Sequence, residues 1–134
     1  MRLALDIDGT ITSDPGYFCR VSSGVIAVGG EVHVVSSRSV EGRLETLAEL
    51  RDLEIEFSAL HLLPSINAAQ SLCPHKELDW FQRYLWLKVD YALTNGITHF
   101  VDDDPKVLDL LARFAPGVIA IPFEGRNCLL TSLT

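Results

Sequence analysis

Two aspartates stand two positions apart, Asp6 and Asp8, where the apolar segment Leu3-Ala4-Leu5-Asp6-Ile7 ends, and Gly9-Thr10 follows them. In an extended chain residues i and i+2 point to the same side, so both carboxylates face one way. Two such groups repel each other unless a proton or a cation lies between them. Oxygen donors that leave room for retained waters are what Mg²⁺ prefers. A third carboxylate, from Asp102 or Asp103 in the run Asp102-Asp103-Asp104, would complete such a site. Gly9 permits a sharp backbone turn away from the strand. One Asp-Gly pair could be no more than a turn with solvated acids. Acids at two separate strand ends, accompanied by Ser36-Ser37-Arg38 and by Lys88, point instead to an anion- and cation-binding centre.

These residues can meet only if the elements carrying them share an edge. Short apolar runs predict strands at Leu3–Ile7, Val32–Val35, Phe57–Leu63, Thr98–Val101 and Val118–Ile121. Helical spacing of apolar residues predicts helices over Val40–Leu53, with Leu44, Leu47, Ala48 and Leu50 inward, over Leu78–Leu93 and over Lys106–Phe114. Pro15–Val28 must link the first two strands, and a helix suits it, although Ser22-Ser23-Gly24 weakens helix propensity. Alternating strands and helices predict an α/β fold: a doubly wound, Rossmann-like, parallel five-stranded sheet with helices on both faces. In such sheets ligands bind at the carboxyl ends of the strands, near the switch point. Strand-end acids, serines and the Lys88 helix would converge there. Asp104, directly before Pro105, reads as a helix start. Trp80, Tyr84, Trp86 and Tyr91 read as packing a helix onto the sheet.

The chain has 134 residues and a formal net charge of −7, which predicts one domain spanning 1–134. Its 48% hydrophobic and 22% charged content excludes a disordered or fibrous class. No apolar run approaches the ~18 residues of a membrane span, and Asp6 comes too early for a signal peptide. Cys19, Cys73 and Cys128 are odd in number and lack metal or redox spacing. They read as reduced thiols of a cytoplasmic protein. His33, His61, His75 and His99 are scattered, and Cys73-Pro74-His75 reads as loop residues because no partner pair accompanies it. The acidic balance predicts no strong non-specific binding of nucleic acid.

Asp6-Ile7-Asp8-Gly9-Thr10 resembles the first motif, Asp-x-Asp-Gly-Thr, of the haloacid dehalogenase (HAD) superfamily of phosphohydrolases. Val34-Val35-Ser36 resembles its second motif, Lys88 its third, and Phe100-Val101-Asp102-Asp103 its fourth, in the same order. The resemblance runs from Leu3 to about Ile121. It implies a Mg²⁺-dependent phosphomonoester hydrolase with a phospho-aspartyl intermediate. Asp6 would be the nucleophile and Asp8 the general acid and base. Metal would be held by Asp6, the Asp8 backbone carbonyl and Asp102, with Asp103 assisting. Ser36 would donate to the phosphoryl oxygens, and Lys88 would stabilise transition-state charge. Lys76 competes for that role, and Lys88 is preferred because its helix feeds the fourth strand. An acid at Asp8 favours phosphatase chemistry over that of true dehalogenases and ion-pumping ATPases.

Ser37 and Arg38 are further candidates for substrate binding. Arg38 suits phosphate, but it could equally cap the next helix region or pair with a surface acid. The intervals Gly9–Val35 and Ser37–Leu87 are too short for a cap domain, so the chain resembles the small capless members and their polynucleotide-phosphatase-like branch. A segment at Pro64–Lys76, expected as a loop, and the tail Phe123–Asn127 are candidates for substrate selection, and a second subunit could also supply a lid. The expected substrate is a phosphorylated small molecule, phosphoprotein or nucleic-acid end. For a nucleic-acid end, Arg20, Arg38, Arg43, Lys76 and Arg126 would have to supply the cations. The alternative from another class is a non-catalytic domain of the same fold that binds Mg²⁺ and a partner.

Overall fold

The computed structural model describes residues 1–124. Five strands, β1 (Arg2–Leu5), β2 (Glu31–Ser39), β3 (Ala59–Leu63), β4 (His99–Asp102) and β5 (Ile119–Pro122), form one all-parallel sheet in the order β3-β2-β1-β4-β5. The helices are α1 (Pro15–Ala27), α2 (Arg43–Asp52), α3 (Ile66–Leu72), α4 (Trp80–Thr94) and α5 (Pro105–Phe114). The doubly wound α/β fold expected from the sequence is the fold observed.

Register is set by which residues must be buried. Leu3 pairs with Val32 and His99, and Leu5 with Val34 and Val101. Leu3, Leu5, Val32 and Val34 face Phe18 of α1 and Leu50 of α2. Ala4, Val35 and Phe100 face the other way, onto Leu85 and Val89 of α4 and Leu111 of α5. A strand alternates its faces, and here both faces are covered, so Leu3–Leu5 of β1 and Val32–Val35 of β2 are buried throughout. From β1 the chain winds outward to β2 and β3, then returns to the far side of β1 for β4 and β5. The switch point therefore lies between β1, which Asp6 directly follows, and β4, which ends in Asp102.

Several boundaries differ from expectation, each for a physical reason. α1 forms despite Ser22-Ser23-Gly24, because Asp14 accepts the Tyr17 N–H at its start, Pro15 fills the first position, and Phe18 is buried. β2 runs on to Ser39, so Ser36, Ser37 and Arg38 belong to the strand itself. The expected helix from Val40 divides into a short 3-10 turn, Val40–Gly42, and α2, and Leu44 is exposed rather than inward. The expected loop at Pro64–Lys76 contains α3, begun by Ser65 accepting the Ala68 N–H at 3.3 Å. Trp86 packs as expected, but Trp80 is exposed. Cys19 and Cys73 are free thiols, while Cys128 and the tail beyond Glu124 lie outside the described residues.

Candidate active site

The centre is built at the carboxyl end of β1. The Asp6 N–H donates to the Val101 carbonyl at 3.1 Å, which extends the β1–β4 pairing to the aspartate and fixes its direction. Gly9 then turns the chain with φ +83°, and a Cβ there would collide with the Asp103 carboxylate. Both facts require glycine. Thr10, fully buried, aims its hydroxyl between Asp6 Oδ2 (3.3 Å) and Asp103 Oδ1 (3.4 Å). The 3-10 turn Ile11–Ser13 closes the loop, with the Ser13 hydroxyl donating to the Thr10 carbonyl.

Opposite stands Lys88, on the buried face of α4 and 2% exposed. Its Nζ donates to Asp6 Oδ1 and to Asp102 Oδ2, both at 2.9 Å. Burial alone would discharge this ammonium, but the two carboxylates outweigh burial and raise its pKa. Asp102, at the end of β4, also accepts the Asp104 N–H at 2.9 Å through Oδ1. Asp104 caps α5 by accepting the Lys106 N–H, as its place before Pro105 predicts.

Asp6 is pushed up from 3.8 to about 7, chiefly by burial and then by the charge of Asp102, against the pull of Lys88. Asp102 is raised as well, again chiefly by burial. Three carboxylates, Asp6, Asp102 and Asp103, offer oxygens within 4.8 Å of one another. One ammonium offsets only part of their charge. An oxygen-only donor set with excess negative charge fits a hard divalent cation such as Mg²⁺. A cavity of about 320 Å³ opens onto this cluster, its wall including Asp6, Asp8, Ser37, Leu85, Lys88 and Pro105.

Asp8 stands apart from the carboxylate cluster. Its side chain is 63% exposed and is gripped by Arg38, Nε to Oδ2 at 2.9 Å and Nη2 to Oδ1 at 2.8 Å. Those hydrogen bonds hold the Asp8 carboxyl below the usual carboxylate range. The remaining Arg38 nitrogen, Nη1, donates to Glu49 of α2 at 2.5 Å. Thus Arg38 pairs with acids in the structure, one of the three roles its sequence context allowed.

The two serines divide. Ser37 lines the cavity, and its carbonyl accepts the Tyr84 hydroxyl at 2.5 Å. Ser36 is buried outside the cavity lining and accepts the Arg38 N–H at 3.1 Å. Lys76 is exposed and its carbonyl is held by Arg83, so Lys88 is the lysine placed at the acids. No residue of Pro64–Lys76 lines this cavity. Phe123 is buried against Phe18, 4.7 Å between ring centres, and residues 125–127 lie outside the described chain. Sequence reading assigned no role to Thr10 or Glu49. Thr10 was signalled by its place in Asp-Gly-Thr, whereas nothing local marked Glu49 as the partner of Arg38.

No protein-family model matches this chain, and no curated protein does. Solved structures that share its fold include two chains of RNA-repair assemblies. One belongs to the Pnkp1/Rnl/Hen1 RNA repair complex, with a TM-score of 0.66 at 15% identity over 93% of this chain. The other, from the Pnkp1/Rnl/Hen1 complex, has a TM-score of 0.64 at 15% identity over 91%. This chain spans 43% and 45% of those chains respectively.

Proposed function

We propose that the protein is a Mg²⁺-dependent phosphomonoester hydrolase of the HAD type, acting on phosphorylated nucleic-acid ends. The observation that carries this reading is the buried Asp6–Lys88–Asp102 arrangement with Asp103 beside it, at the switch point of a parallel sheet. The ordered motif resemblance supports the chemistry. The fold shared with chains of an RNA repair complex supports the substrate class.

In this reading an Asp6 oxygen attacks phosphorus and the bond to the leaving oxygen breaks, giving a phospho-aspartyl enzyme. Asp8 gives its proton to the leaving oxygen, then removes one from the water that hydrolyses the acyl phosphate. Inorganic phosphate departs and Asp6 is regenerated. Lys88 keeps its charge because two acids face it, so it can stabilise the anionic transition state and steady Asp6. Mg²⁺, held by Asp6, Asp102 and Asp103, would neutralise phosphate charge and let an anionic nucleophile approach it. At rest Arg38 holds Asp8 ionised. A phosphate dianion entering beside Arg38 competes for that guanidinium, which frees Asp8 to take up from solvent the proton it then gives to the leaving oxygen. Ser37 is the serine at the cavity wall and Ser36 supports the Arg38 backbone.

The test is phosphate release from an aryl phosphate, nucleoside monophosphates, a 3′-phosphorylated oligonucleotide and a phosphopeptide, with and without Mg²⁺. Metal-dependent release that is lost in Asp6→Asn is expected. Release that persists in that variant sinks the mechanism.

A further inference from the structure

We propose that the first turns of α4 form a nucleobase-stacking shelf, which receives the single strand behind a terminal phosphate seated at the aspartates. The proposal rests on the phosphoester reading above and names the part of the substrate that lies outside the cavity.

The two tryptophans of this helix have opposite surroundings. Trp86 is buried, while Trp80, at the first position of α4, is 60% exposed. An exposed indole there adds nothing to the core. Its ring meets Phe81 edge to face, 5.6 Å between centres at 73°, and Phe81 lies 6.3 Å from the tilted ring of Tyr84. Lys106 of α5 sits over the Phe81 ring with Nζ 4.7 Å from its centre. The shelf thus combines half-buried aromatic faces with a surface ammonium.

Its position is fixed relative to the chemistry. Phe81 lies one turn before Leu85 and two turns before Lys88, both of which line the aspartate cavity. Lys106 directly follows Pro105, another lining residue. The Tyr84 hydroxyl donates to the carbonyl of Ser37 on the cavity wall. Gln70 of α3 donates to the Trp80 carbonyl at 3.2 Å, and Asp79 and Gln82 close a capping box around the helix start. From Trp80 to Lys88 the helix rises about 12 Å. A strand leaving the cavity along this face meets the aromatic rings within its first nucleotides.

The chemistry selects the occupant. Every nucleobase has a flat face that stacks on aromatic rings without regard to sequence, and the backbone needs a cation beside it. Lys106 provides one. With a net charge of −7 the molecule lacks the basic field for long-range backbone attraction. Affinity then comes from stacking on a short segment, which favours a single-stranded end over a duplex.

The experiment measures binding of an unphosphorylated, fluorescein-labelled hexanucleotide by anisotropy, together with kcat/KM on the 3′-phosphorylated hexanucleotide and on an aryl phosphate. Trp80→Ala and Phe81→Ala should each weaken hexanucleotide binding about tenfold, as loss of one stacked base does, and Trp80→Phe should restore most of it. Lys106→Ala should flatten the salt dependence by about 0.7 in log–log slope. The ratio of kcat/KM, oligonucleotide over aryl phosphate, should fall with the aromatic variants. Hexanucleotide binding that is absent, or indifferent to Trp80 and Phe81, overturns the shelf. So does a dependence on Trp80 seen for a phosphotyrosyl peptide and not for the oligonucleotide. Stacking that depends on Trp80, without phosphate release from any ester, upholds the shelf and overturns the hydrolase reading.

Discussion

Arg38 binds both carboxylate oxygens of Asp8, across 30 positions of sequence, and spends its third nitrogen on Glu49. The pair ties the carboxyl end of β1 to β2 above the sheet. It also sets the protonation of the residue proposed as general acid.

Replacing Arg38 with lysine keeps the charge and removes the fork. The Asp8 carboxyl should then titrate closer to its ordinary value, read from its carboxyl carbon by NMR. In the native protein the depressed Asp8 value contributes stability that is present above the ordinary carboxylate range and lost as pH falls through the folded value. Arg38→Lys should therefore reduce the acid-side slope of stability, and kcat/KM on phosphate esters should fall about tenfold, because lysine cannot offer an entering phosphate the paired donors of a guanidinium. An unmoved Asp8 titration would falsify the coupling.

Lys88→Met leaves Asp6 and Asp102 buried with no cation between them. Removing one partner of a buried charge network costs about 3–5 kcal/mol. Urea denaturation of the metal-free variant should show a loss of that order, and millimolar Mg²⁺ should recover part of it. A variant as stable as the parent without metal would mean that the acids are neutral or hydrated.

The raised Asp6 value has two consequences with defined signs. Between 3.8 and about 7 the folded, metal-free protein holds a proton on Asp6 that the unfolded chain has released. The stability this gives is complete below the unfolded value and is lost as pH rises through about 7. Thermal melts should show a steeper decline in the parent than in Asp6→Asn, which keeps only the raised Asp102 carboxyl. Mg²⁺ competes with the same proton, so its affinity by calorimetry should rise about tenfold between pH ~6 and ~8. A flat affinity across that range would remove Asp6 from the metal site.

Gly9→Ala forces a Cβ into a left-handed backbone and against Asp103. The backbone strain alone costs about 1–2 kcal/mol. The displaced Asp103 should also weaken Mg²⁺ binding, so the loss in metal affinity should exceed that of an exposed glycine variant such as Gly117→Ala. Equal Mg²⁺ affinity in the two variants would show that Asp103 has room to move aside.

The parallel sheet and the meeting of Asp6, Lys88 and Asp102 were legible because each acid directly follows an apolar run and Lys88 sits inside a helical one. Such adjacency survives in one dimension. What was not legible is pairing between side chains. Arg38 had phosphate and surface acids as possible partners, and only the approach of α2 to β2 selects Glu49. α3 is not legible in the sequence because a seven-residue helix shows too little period, and its start depends on one Ser65 hydrogen bond. The expected inward Leu44 is 82% exposed because the 3-10 turn before α2 resets the helix phase. Helical spacing groups Trp80 with its aromatic neighbours as core, yet at the first position of α4 it is 60% exposed.

The 82-position separation of Asp6 and Lys88 also sets an order of events on the ribosome. At roughly 5–20 residues per second, Asp6 emerges some 4–16 s before the cation that neutralises it. The residues that seal the β4 side of β1, Phe100 and Val101, are made later still. Until then the nascent chain can assemble α1 against β1 and β2, but it must leave the tip of β1 in water. Core closure and charge neutralisation thus become one late event, and a truncated product would expose the acid end of its central strand.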